Sequence, residues 1–155
     1  MSKRICMMLA ALVALAAVAA GCGGGGDEDE ALTKAQFINQ ADKICKKISE
    51  KNEAEFQAFV QKVQSEGGIE KSGGEIGQEV VLPNFEMKVE QLTEMEPPSQ
   101  GEKQITAWYE ALEDALEEAR EDPNTLIGFA ANADAPLIKA NRIAREYGFE
   151  ECDFA

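Results

Sequence analysis

The sequence predicts an all-α protein folded as an antiparallel four-helix bundle. Three observations support this fold class. Apolar residues recur at helical spacing in four stretches between positions 33 and 147. Capping residues, prolines and glycines mark the ends of these stretches. No segment alternates apolar and polar residues beside a hairpin turn, so we expect no strands.

Residues 1–21 have the pattern of a signal peptide. Two basic residues precede an uncharged apolar run of 16 residues at 5–20, which is shorter than the roughly 20 needed to span a bilayer. An Ala-Ala-Gly tripeptide then precedes Cys22. This order resembles the lipobox of bacterial lipoproteins, with alanine where that family usually has leucine or valine. The resemblance implies a diacylglycerol on the Cys22 thiol and cleavage before it. The alternatives are an uncleaved anchor and secretion after cleavage elsewhere.

The segment 22–32 is predicted to be a flexible tether behind the lipidated cysteine. Four glycines at 23–26 do not favour helix or strand, and four acidic residues at 27–30 repel one another. The helical domain is therefore predicted to occupy residues 33–155.

The first predicted helix covers about residues 33–66. Thr33 and Gln36 match a capping box at its start. Asn52 is a polar interruption of its apolar stripe, and the glycine-rich segment 67–77 is predicted to be a loop. The predicted buried face comprises Phe37, Ala41, Ile44, Cys45, Ile48, Phe56, Phe59, Val60 and Val63.

The second predicted helix covers about residues 79–95. Pro83 lies either in its first turn or at a kink, and Pro97 and Pro98 end it. Its apolar stripe is Val81, Phe85, Val89 (or Lys88), Leu92 and Met95.

The third predicted helix covers about residues 99–121, with Ser99 and Glu102 as a second capping box. Its inward face is Ile105, Trp108, Leu112, Ala115, Leu116 and Ala119. Acidic residues fill much of the remaining surface and are interpreted as a solvated face: Glu110, Glu113, Asp114, Glu117, Glu118 and Glu121.

The fourth predicted helix begins with Asp122 as N-cap and Pro123 in its first turn. Pro136 lies inside it, so we expect a kink or a split near that residue. Gly148 is suited to end the helix, and Phe149 to fold back on the last turn. The apolar stripe is Leu126, Phe129, Ala130, Ala133, Leu137, Ala140, Ala144 and Tyr147.

The four cysteines have different predicted roles. Cys6 leaves with the leader and Cys22 takes the lipid, which leaves Cys45 and Cys152 as a pair in an oxidising compartment. We expect a disulfide that ties the first helix to the C-terminal tail, although free thiols and an intermolecular bond are alternatives. No Cys-x-x-Cys motif suggests redox catalysis.

Three motifs of the domain resemble a loose group of small actinobacterial-type helical lipoproteins of unknown function. The motifs are Phe37-x-x-x-Ala41-Asp42-x-x-Cys45, Leu92-x-x-Met95-x-Pro97-Pro98 and Ala144-x-x-Tyr147-Gly148-Phe149-x-x-Cys152. The resemblance implies a helical, disulfide-closed envelope protein. It implies no activity and assigns no functional residue.

The charge and the residue types exclude several function classes. The chain carries −14, and the mature chain without Lys3 and Arg4 carries 13 basic and 29 acidic residues, or −16. Nucleic acid is therefore not an expected partner. The absence of histidine removes the commonest general base and transition-metal ligand, so we expect no catalytic site, metal or cofactor.

Two weak candidates for binding remain. Lys139, Arg142 and Arg145 form a basic stripe that would pair with nearby acids, cap the helix, or meet an anion or an acidic partner. The aromatic residues Trp108 and Tyr147 are interpreted as core, with a pocket near Trp108 and Pro136 as the alternative.

These features predict a non-enzymatic interaction or structural module, held on the outer face of a bacterial membrane by Cys22 and facing another envelope protein. The alternative is a lipoprotein that binds a small solute or cation for a transporter or sensor. A pocket between the helices with converging polar groups would favour the alternative.

Overall fold

A computed structural model of the chain describes residues 31–65, 73–127 and 135–153. Every regular element in these ranges is helical and none is a strand, so the all-α prediction is confirmed for them. The leader, Cys22 and the tether up to Glu30 lie outside the described residues, as do 66–72, 128–134 and 154–155. The elements are α1 (Lys34–Ser65), α2 (Gly73–Ile76), a π-helical segment (Gly77–Val81), α3 (Leu82–Thr93), α4 (Glu102–Glu121), a 3-10 turn (Pro123–Leu126) and α5 (Pro136–Tyr147).

The N-terminal cap of α1 is the predicted capping box. The amide of Gln36 donates to Thr33 Oγ1 over 3.3 Å, and the amide of Thr33 donates to Gln36 Oε1 over 2.9 Å. These reciprocal bonds satisfy two backbone donors that the first turn leaves unpaired.

The buried face of α1 is narrower than predicted: Ile44, Val60 and Val63 are half-buried, and Phe56 is 42% exposed. At about 100° per residue, Phe56 lies about 80° around the helix from Ile48, whereas Phe59 lies about 20° from it. Phe59 is buried for this reason and Phe56 is at the edge of the stripe. The buried residues of α1 are Phe37, Ala41, Cys45, Ile48 and Phe59.

The loop predicted over 67–77 is wrong for its last part, because α2 and the π-helical segment begin at Gly73. Gly77 is buried, and a Cβ atom there would lie 3.0 Å from Cβ of Pro123, so glycine allows the 3-10 turn to approach. Pro83 has no amide hydrogen and lies in the first turn of α3, immediately after the π-helical segment.

The second predicted capping box is wrong, because α4 begins at Glu102 with Gly101 as its N-cap and without a side-chain cap. Gly101 has a φ of 92°, and a Cβ atom there would lie 2.7 Å from Cε2 of Tyr147. The Tyr147 hydroxyl also donates to the carbonyl of Gln100 over 3.1 Å. The end of α5 therefore shapes the start of α4, which the local sequence does not indicate.

The segment of the fourth predicted helix is interrupted before Pro136. Asp122 accepts a hydrogen bond from the amide of Asn124 over 3.0 Å and caps the 3-10 turn. Ala135 has an extended backbone with a ψ of 140°, as expected for a residue before proline, and α5 begins at Pro136. Within the described ranges, no helix has both the length and the hydropathy to cross a bilayer.

The end of α5 has the predicted glycine cap. Gly148 has a φ of 107°, and its amide and that of Phe149 both donate to the carbonyl of Ala144, over 3.1 Å each. Phe149 then folds inward and stacks on Trp108, with ring centroids 4.6 Å apart. Phe37 and Tyr147 pack against the same ring of Phe149. We call Phe37, Trp108, Tyr147 and Phe149 the aromatic cluster.

The predicted disulfide is present. Cys45 and Cys152 are bonded, with their Cα atoms 5.2 Å apart, and both residues are completely buried. The amides of Glu150 and Glu151 donate to the carboxylate of Asp42, with the shortest bond 2.9 Å long. The tail after α5 therefore packs along the first half of α1, beside the aromatic cluster.

Candidate functional site

A cleft of about 240 Å³ opens beside the second half of the core. Residues of α1, the π-helical segment, α3, the 3-10 turn, α5 and the C-terminal tail all line it. Among the described residues, the apolar lining is Ile48, Val81, Phe85, Leu126 and Leu137, and the polar lining is Ser49, Asn52, Asn84, Lys88 and Asp153. The cleft is smaller than the roughly 300–1,000 Å³ typical of pockets for drug-sized ligands, so it suits a smaller molecule.

Lys88 is a positively charged residue in the lining of the cleft. It lies on the buried stripe of α3 and is only 8% exposed. Its Nζ donates to the hydroxyl of Ser49 on α1 over 3.1 Å. Burial lowers the pKa of Lys88 to about 8, because desolvation disfavours the charged form. At neutral pH the ammonium is still mostly protonated, and its burial is a cost to the fold.

Asn84 joins α1 and α3 at one wall of the cleft and is 2% exposed. Its Nδ2 donates to Glu55 over 2.6 Å and to the carbonyl of Val80 over 2.8 Å, and its Oδ1 accepts from Lys51 over 2.8 Å. Hydrogen bonds from Asn84 and Lys51 lower the pKa of Glu55. Asn84 is thus fully bonded and holds the wall in place.

Two other polar side chains of the cleft have an acceptor without a partner. Oδ1 of Asn52 and Oδ1 of Asp153 are buried and accept no hydrogen bond from the described residues. Buried acceptors are normally paired, and an unpaired one costs about 1–3 kcal/mol. The other oxygen of Asp153 accepts from Arg145 over 2.6 Å, so the carboxylate is held in position. Two side chains at the cleft therefore each have a buried acceptor without a partner among the described residues.

The disulfide determines where Asp153 lies. Asp153 directly follows Cys152, whose bond to Cys45 holds the tail against α1. Ile48 and Ser49, which line the cleft, lie within about one turn of Cys45 on the same helix. The disulfide and the polar residues of the cleft therefore lie close together.

The site residues predicted from the sequence lie in three places. Cys22 is outside the described residues, and Cys45 and Cys152 form the disulfide. The basic stripe is on α5: Arg145 forms an ion pair with Asp153, while Arg142 is exposed and Lys139 is half-buried. Among the described residues, the stripe meets the cleft through the Arg145–Asp153 pair.

Trp108 and Tyr147 are buried, as predicted for core residues, and neither is among the described residues that line this cleft. Trp108 is completely buried in the aromatic cluster, and its Nε1 has no hydrogen-bond partner among the described residues. The Tyr109 hydroxyl donates to the carbonyl of Met95 over 2.9 Å, and burial raises the pKa of this phenol. The alternative in the sequence analysis also placed a pocket near Pro136, and Leu137, the next residue, does line the cleft.

The acidic residues of α4 are exposed, as predicted for a solvated face. Within the described ranges, no group of three or more Cys, Asp or Glu side chains is arranged to hold a metal ion.

The polar residues of the cleft were missed as a site, although the sequence contains a signal for them. Asn52 interrupts the apolar stripe of α1, and Lys88 alternates with Val89 for a stripe position of α3. A polar residue at a core position is informative when it has a partner or a cavity there. Nothing in the local sequence indicates that these positions face one another or that Asp153 joins them.

Comparison with known proteins yields no family: no family model, no curated protein and no solved structure matches the chain.

Proposed function

We propose that the protein is a non-enzymatic lipoprotein of the bacterial envelope that binds a small polar solute in the cleft. The observation that carries this proposal is the convergence of Lys88, Asn52 and Asp153 on one cavity between the helices. Two buried acceptors without a partner among the described residues destabilise the fold, and a purely structural bundle gains nothing from them. Such features are typical of sites where function is favoured over stability.

The lipid anchor is part of the proposal. A diacylglycerol on Cys22 supplies the two acyl chains that stable membrane attachment needs. The glycine and acidic tether would hold the domain away from anionic headgroups, which repel a mature chain of charge −16. This location, outside the cytoplasm, agrees with a disulfide in the domain. Loss of membrane attachment in Cys22→Ala cells, measured by fractionation, is the expected result; unchanged attachment would contradict the anchor.

An antiparallel four-helix bundle is the proposed arrangement of the domain. Lys51 and Glu55, in the second half of α1, bond to Asn84, early in α3. Glu86, early in α3, pairs with Arg120, late in α4. The hydroxyl of Tyr147, at the end of α5, bonds to the segment before α4. These pairs support alternating directions for α1, α3, α4 and α5.

The hydrogen bond between Lys88 and Ser49 does not by itself favour an enzyme. A serine nucleophile needs a base, but Lys88 is mostly protonated at neutral pH and donates to Ser49. Ser49 lies inside α1, where the backbone amides bond within the helix and do not form an oxyanion hole. The cleft therefore fits binding better than acyl transfer.

A thermal-shift screen of the full-length protein in detergent, with the disulfide intact, tests the function. The compounds are metal ions, sugars, amino acids and lipids. A solute at about 100 times its dissociation constant should stabilise the fold by roughly 2.7 kcal/mol. We expect a saturable shift that Lys88→Met removes and Lys103→Met, at an exposed site on α4, retains. A shift that survives Lys88→Met would place binding elsewhere and contradict the proposal.

The second candidate is an interaction module for another envelope protein. The observation in its favour is Phe56, whose side chain is 42% exposed on α1. Photo-crosslinking in cells from position 56 should capture a defined partner if this function is right. A domain that crosslinks only to itself or to nothing would remove this candidate and leave the solute-binding proposal unaffected.

A further inference from the structure

We propose that the disulfide forms through Cys152, which reacts first with a disulfide-bearing partner, and that Cys45 completes the exchange from within the core. The partner is a thiol–disulfide exchange protein whose surface around its reactive disulfide is basic or uncharged. This inference concerns the maturation of the protein and is independent of any solute in the cleft. The observation behind it is that the two bonded cysteines lie in segments that differ in secondary structure and in the sign of their charge.

Neither sulfur is accessible while the tail is packed on α1. Cys45 and Cys152 are both completely buried. Thiol–disulfide exchange requires a thiolate to approach a sulfur of the other disulfide directly, so the reacting cysteine must reach solvent. In the reduced protein this requires a local opening, and segments with few buried contacts open at the lowest cost in free energy. The order of reaction therefore depends on which cysteine a local opening exposes.

The end of the tail, residues 150–153, can open without disturbing the rest of the fold. It contains no helix, and its two glutamates are exposed. Its described hydrogen bonds to α1 are donated by two backbone amides to the carboxylate of Asp42. Phe149, immediately before it, stacks on Trp108 and keeps the aromatic cluster packed. An opening after Phe149 therefore carries Cys152 into solvent and leaves the aromatic cluster in place.

Cys45 cannot leave the core in the same way. It lies within the 32-residue helix α1, on the buried stripe between Ala41 and Ile48. Carrying its sulfur to a partner would require α1 to unwind at that point, which breaks helix hydrogen bonds as well as core contacts. Opening of the tail uncovers Cys45 but does not move it, so Cys45 remains on the buried stripe.

The exchange proceeds in two balanced steps. The thiolate of Cys152 attacks one sulfur of the partner's disulfide, whose S–S bond breaks and leaves the partner with one thiolate. The tail, now in a mixed disulfide with the partner, returns to α1, and the thiolate of Cys45 attacks the sulfur of Cys152. The bond from that sulfur to the partner breaks and releases the second thiolate. The protein thus loses two thiol protons and two electrons, and the partner's disulfide is reduced to a dithiol.

Cys152 lies in an acidic segment, which determines the charge of a suitable partner. Glu150, Glu151 and Asp153 place three carboxylates within two positions of it. In the opened tail these carboxylates attract a cationic disulfide and repel an anionic one, and charge of this kind changes association rates by about tenfold to a thousandfold. A partner with a basic or uncharged surface around its disulfide is therefore favoured, and an anionic disulfide such as oxidised glutathione reacts slowly.

Cys45 lies among basic residues, which favours the return of the tail. The charged residues within two positions of it are all exposed: Lys43, Lys46 and Lys47. Opposite charges therefore attract the acidic tail to this part of α1. With the tail packed, Lys46 pairs with Glu151 over 3.8 Å. The same charges predict that a reaction starting at Cys45 would show the opposite preference, for an anionic disulfide.

Asp42 positions Cys152 for the second step. Its carboxylate accepts from the amides of the two residues before Cys152, with the shortest bond 2.9 Å long. The Sγ atom of Cys152 lies 3.4 Å from the carbonyl oxygen of Ala41, one turn before Cys45 on α1. The intramolecular second step gains from this preorganisation, whereas the first step requires the same bonds to break. Removal of the Asp42 carboxylate should therefore affect the two steps in opposite directions.

The test uses the reduced full-length protein in detergent and a matched pair of variants. Cys45→Ser retains Cys152, and Cys152→Ser retains Cys45. Each variant reacts with cystamine, which is a dication, with bis(2-hydroxyethyl) disulfide, which is neutral, and with oxidised glutathione, which is an anion. Peptide mass spectrometry after acid quenching locates the mixed disulfide, so adducts at Cys6 or Cys22 are counted separately.

We expect Cys152 to react about tenfold faster than Cys45 with the neutral reagent, because a local opening is sufficient for it. Cys152 should react fastest with cystamine and slowest with oxidised glutathione, and high salt should narrow this order. The order among reagents is independent of the ionisation of the thiol, because the same thiol attacks all three. In concentrated urea the advantage of Cys152 should disappear. The reduced parent protein, which keeps both cysteines, should form its first mixed disulfide at Cys152.

Asp42→Ala separates positioning from stability. The first bond at Cys152 should form about tenfold faster, since two hydrogen bonds no longer hold the tail on α1. Closure by Cys45 should slow by about tenfold, so that the mixed disulfide accumulates. Asp114→Ala, at an exposed position of α4, is the matched control and should leave both steps unchanged.

Three results would overturn the inference. The first is a mixed disulfide that forms on Cys45 as fast as on Cys152, or faster, in the folded protein. The second is a preference of Cys152 for oxidised glutathione over cystamine, which would contradict the charge of the partner. The third is an Asp42→Ala variant that closes its disulfide as fast as the parent, which would remove the positioning role. None of these measurements involves the cleft, so the proposed function is tested separately.

Discussion

The aromatic cluster and the cleft lie on the same helices but are built in opposite ways. Around the disulfide, Phe37, Trp108 and Tyr147 are at most 2% exposed and pack ring against ring. Around the cleft, stripe positions are occupied by the polar residues Asn52 and Lys88, and the side chains leave a cavity between them. The aromatic cluster buries a large apolar area, which stabilises the fold. The cleft contains buried acceptor atoms without a partner among the described residues, which costs stability. The difference supports a stabilising role for the cluster and the proposal that the cleft binds a ligand.

Removing the disulfide should have the largest effect on stability. The link joins residues separated by 107 positions, for which the chain-entropy model predicts about 4–5 kcal/mol. Cys45→Ala with Cys152→Ala should lower the free energy of unfolding, measured with urea, by about 4 kcal/mol. It should also weaken ligand binding, because Asp153 is no longer held at the cleft.

A double variant that loses less than about 1 kcal/mol would contradict the assignment of the disulfide end as the stabilising region. Asp153→Asn is the matched control, because it alters the same wall of the cleft and leaves the covalent link intact.

Lys88→Met should have the next largest effect, with the opposite sign. A pKa of about 8 against an ordinary value near 10.5 corresponds to roughly 3 kcal/mol of destabilisation at neutral pH. The lost bond to Ser49 offsets about 1 kcal/mol and the other lost interactions of Lys88 offset more, so the variant should be more stable at pH 7 by at most about 2 kcal/mol. Urea unfolding of both proteins measures the difference.

The pH dependence of that difference follows from the direction of the shift. Between about pH 8 and 10.5 the unfolded chain binds a proton at Lys88 that the folded protein has lost, so the parent gains stability as pH rises. The advantage of Lys88→Met should therefore be complete below pH 8 and shrink above it. A difference that is constant from pH 7 to 9.5 would show that Lys88 is not desolvated. Lys103→Met supplies the baseline.

Asp42→Ala should have a moderate effect, confined to the disulfide end. The carboxylate accepts from the amides of Glu150 and Glu151, which lie two and one residues before Cys152. We expect a loss of about 1–2 kcal/mol and faster hydrogen exchange at those two amides. Unchanged exchange there would mean that the disulfide alone holds the tail.

Phe56→Ser should have the smallest effect, within about 0.5 kcal/mol, because the side chain is 42% exposed. Phe59→Ser is the matched control, one turn further along α1, and should cost about 2–4 kcal/mol because Phe59 is buried. Equal losses in the two variants would show that both rings are packed, and the exposed edge of α1 would no longer be a candidate contact surface.

Much of the fold could be predicted because its signals are local. Thr33 and Gln36 cap α1, Gly148 ends α5, and the inward residues of α4 repeat at helical spacing; each pattern involves residues within four positions of one another. The cysteine pair followed from the count of cysteines and the oxidising location implied by the leader. Phe56 was misassigned because it lies at the edge of a stripe, where spacing alone does not separate buried from exposed.

The start of α4 shows where local signals fail. Ser99 and Glu102 have the spacing of a capping box, but Gly101 is the N-cap. The cause is Tyr147, which is distant in sequence, occupies the space next to Gly101 and binds the carbonyl of Gln100. Gly77 is a second example, because its contact with Pro123 requires a glycine that the sequence pattern had assigned to a loop.

By itself, the sequence determined the helices, the glycine cap of α5, the solvated acidic face of α4 and the disulfide. These depend on spacing, on side-chain chemistry and on the number of cysteines. Only the tertiary structure brought Asn52, Lys88 and Asp153 to one cavity, since they come from α1, α3 and the tail. A cleft arises where packed elements leave a space between them, and that space is a property of their mutual placement rather than of any one segment.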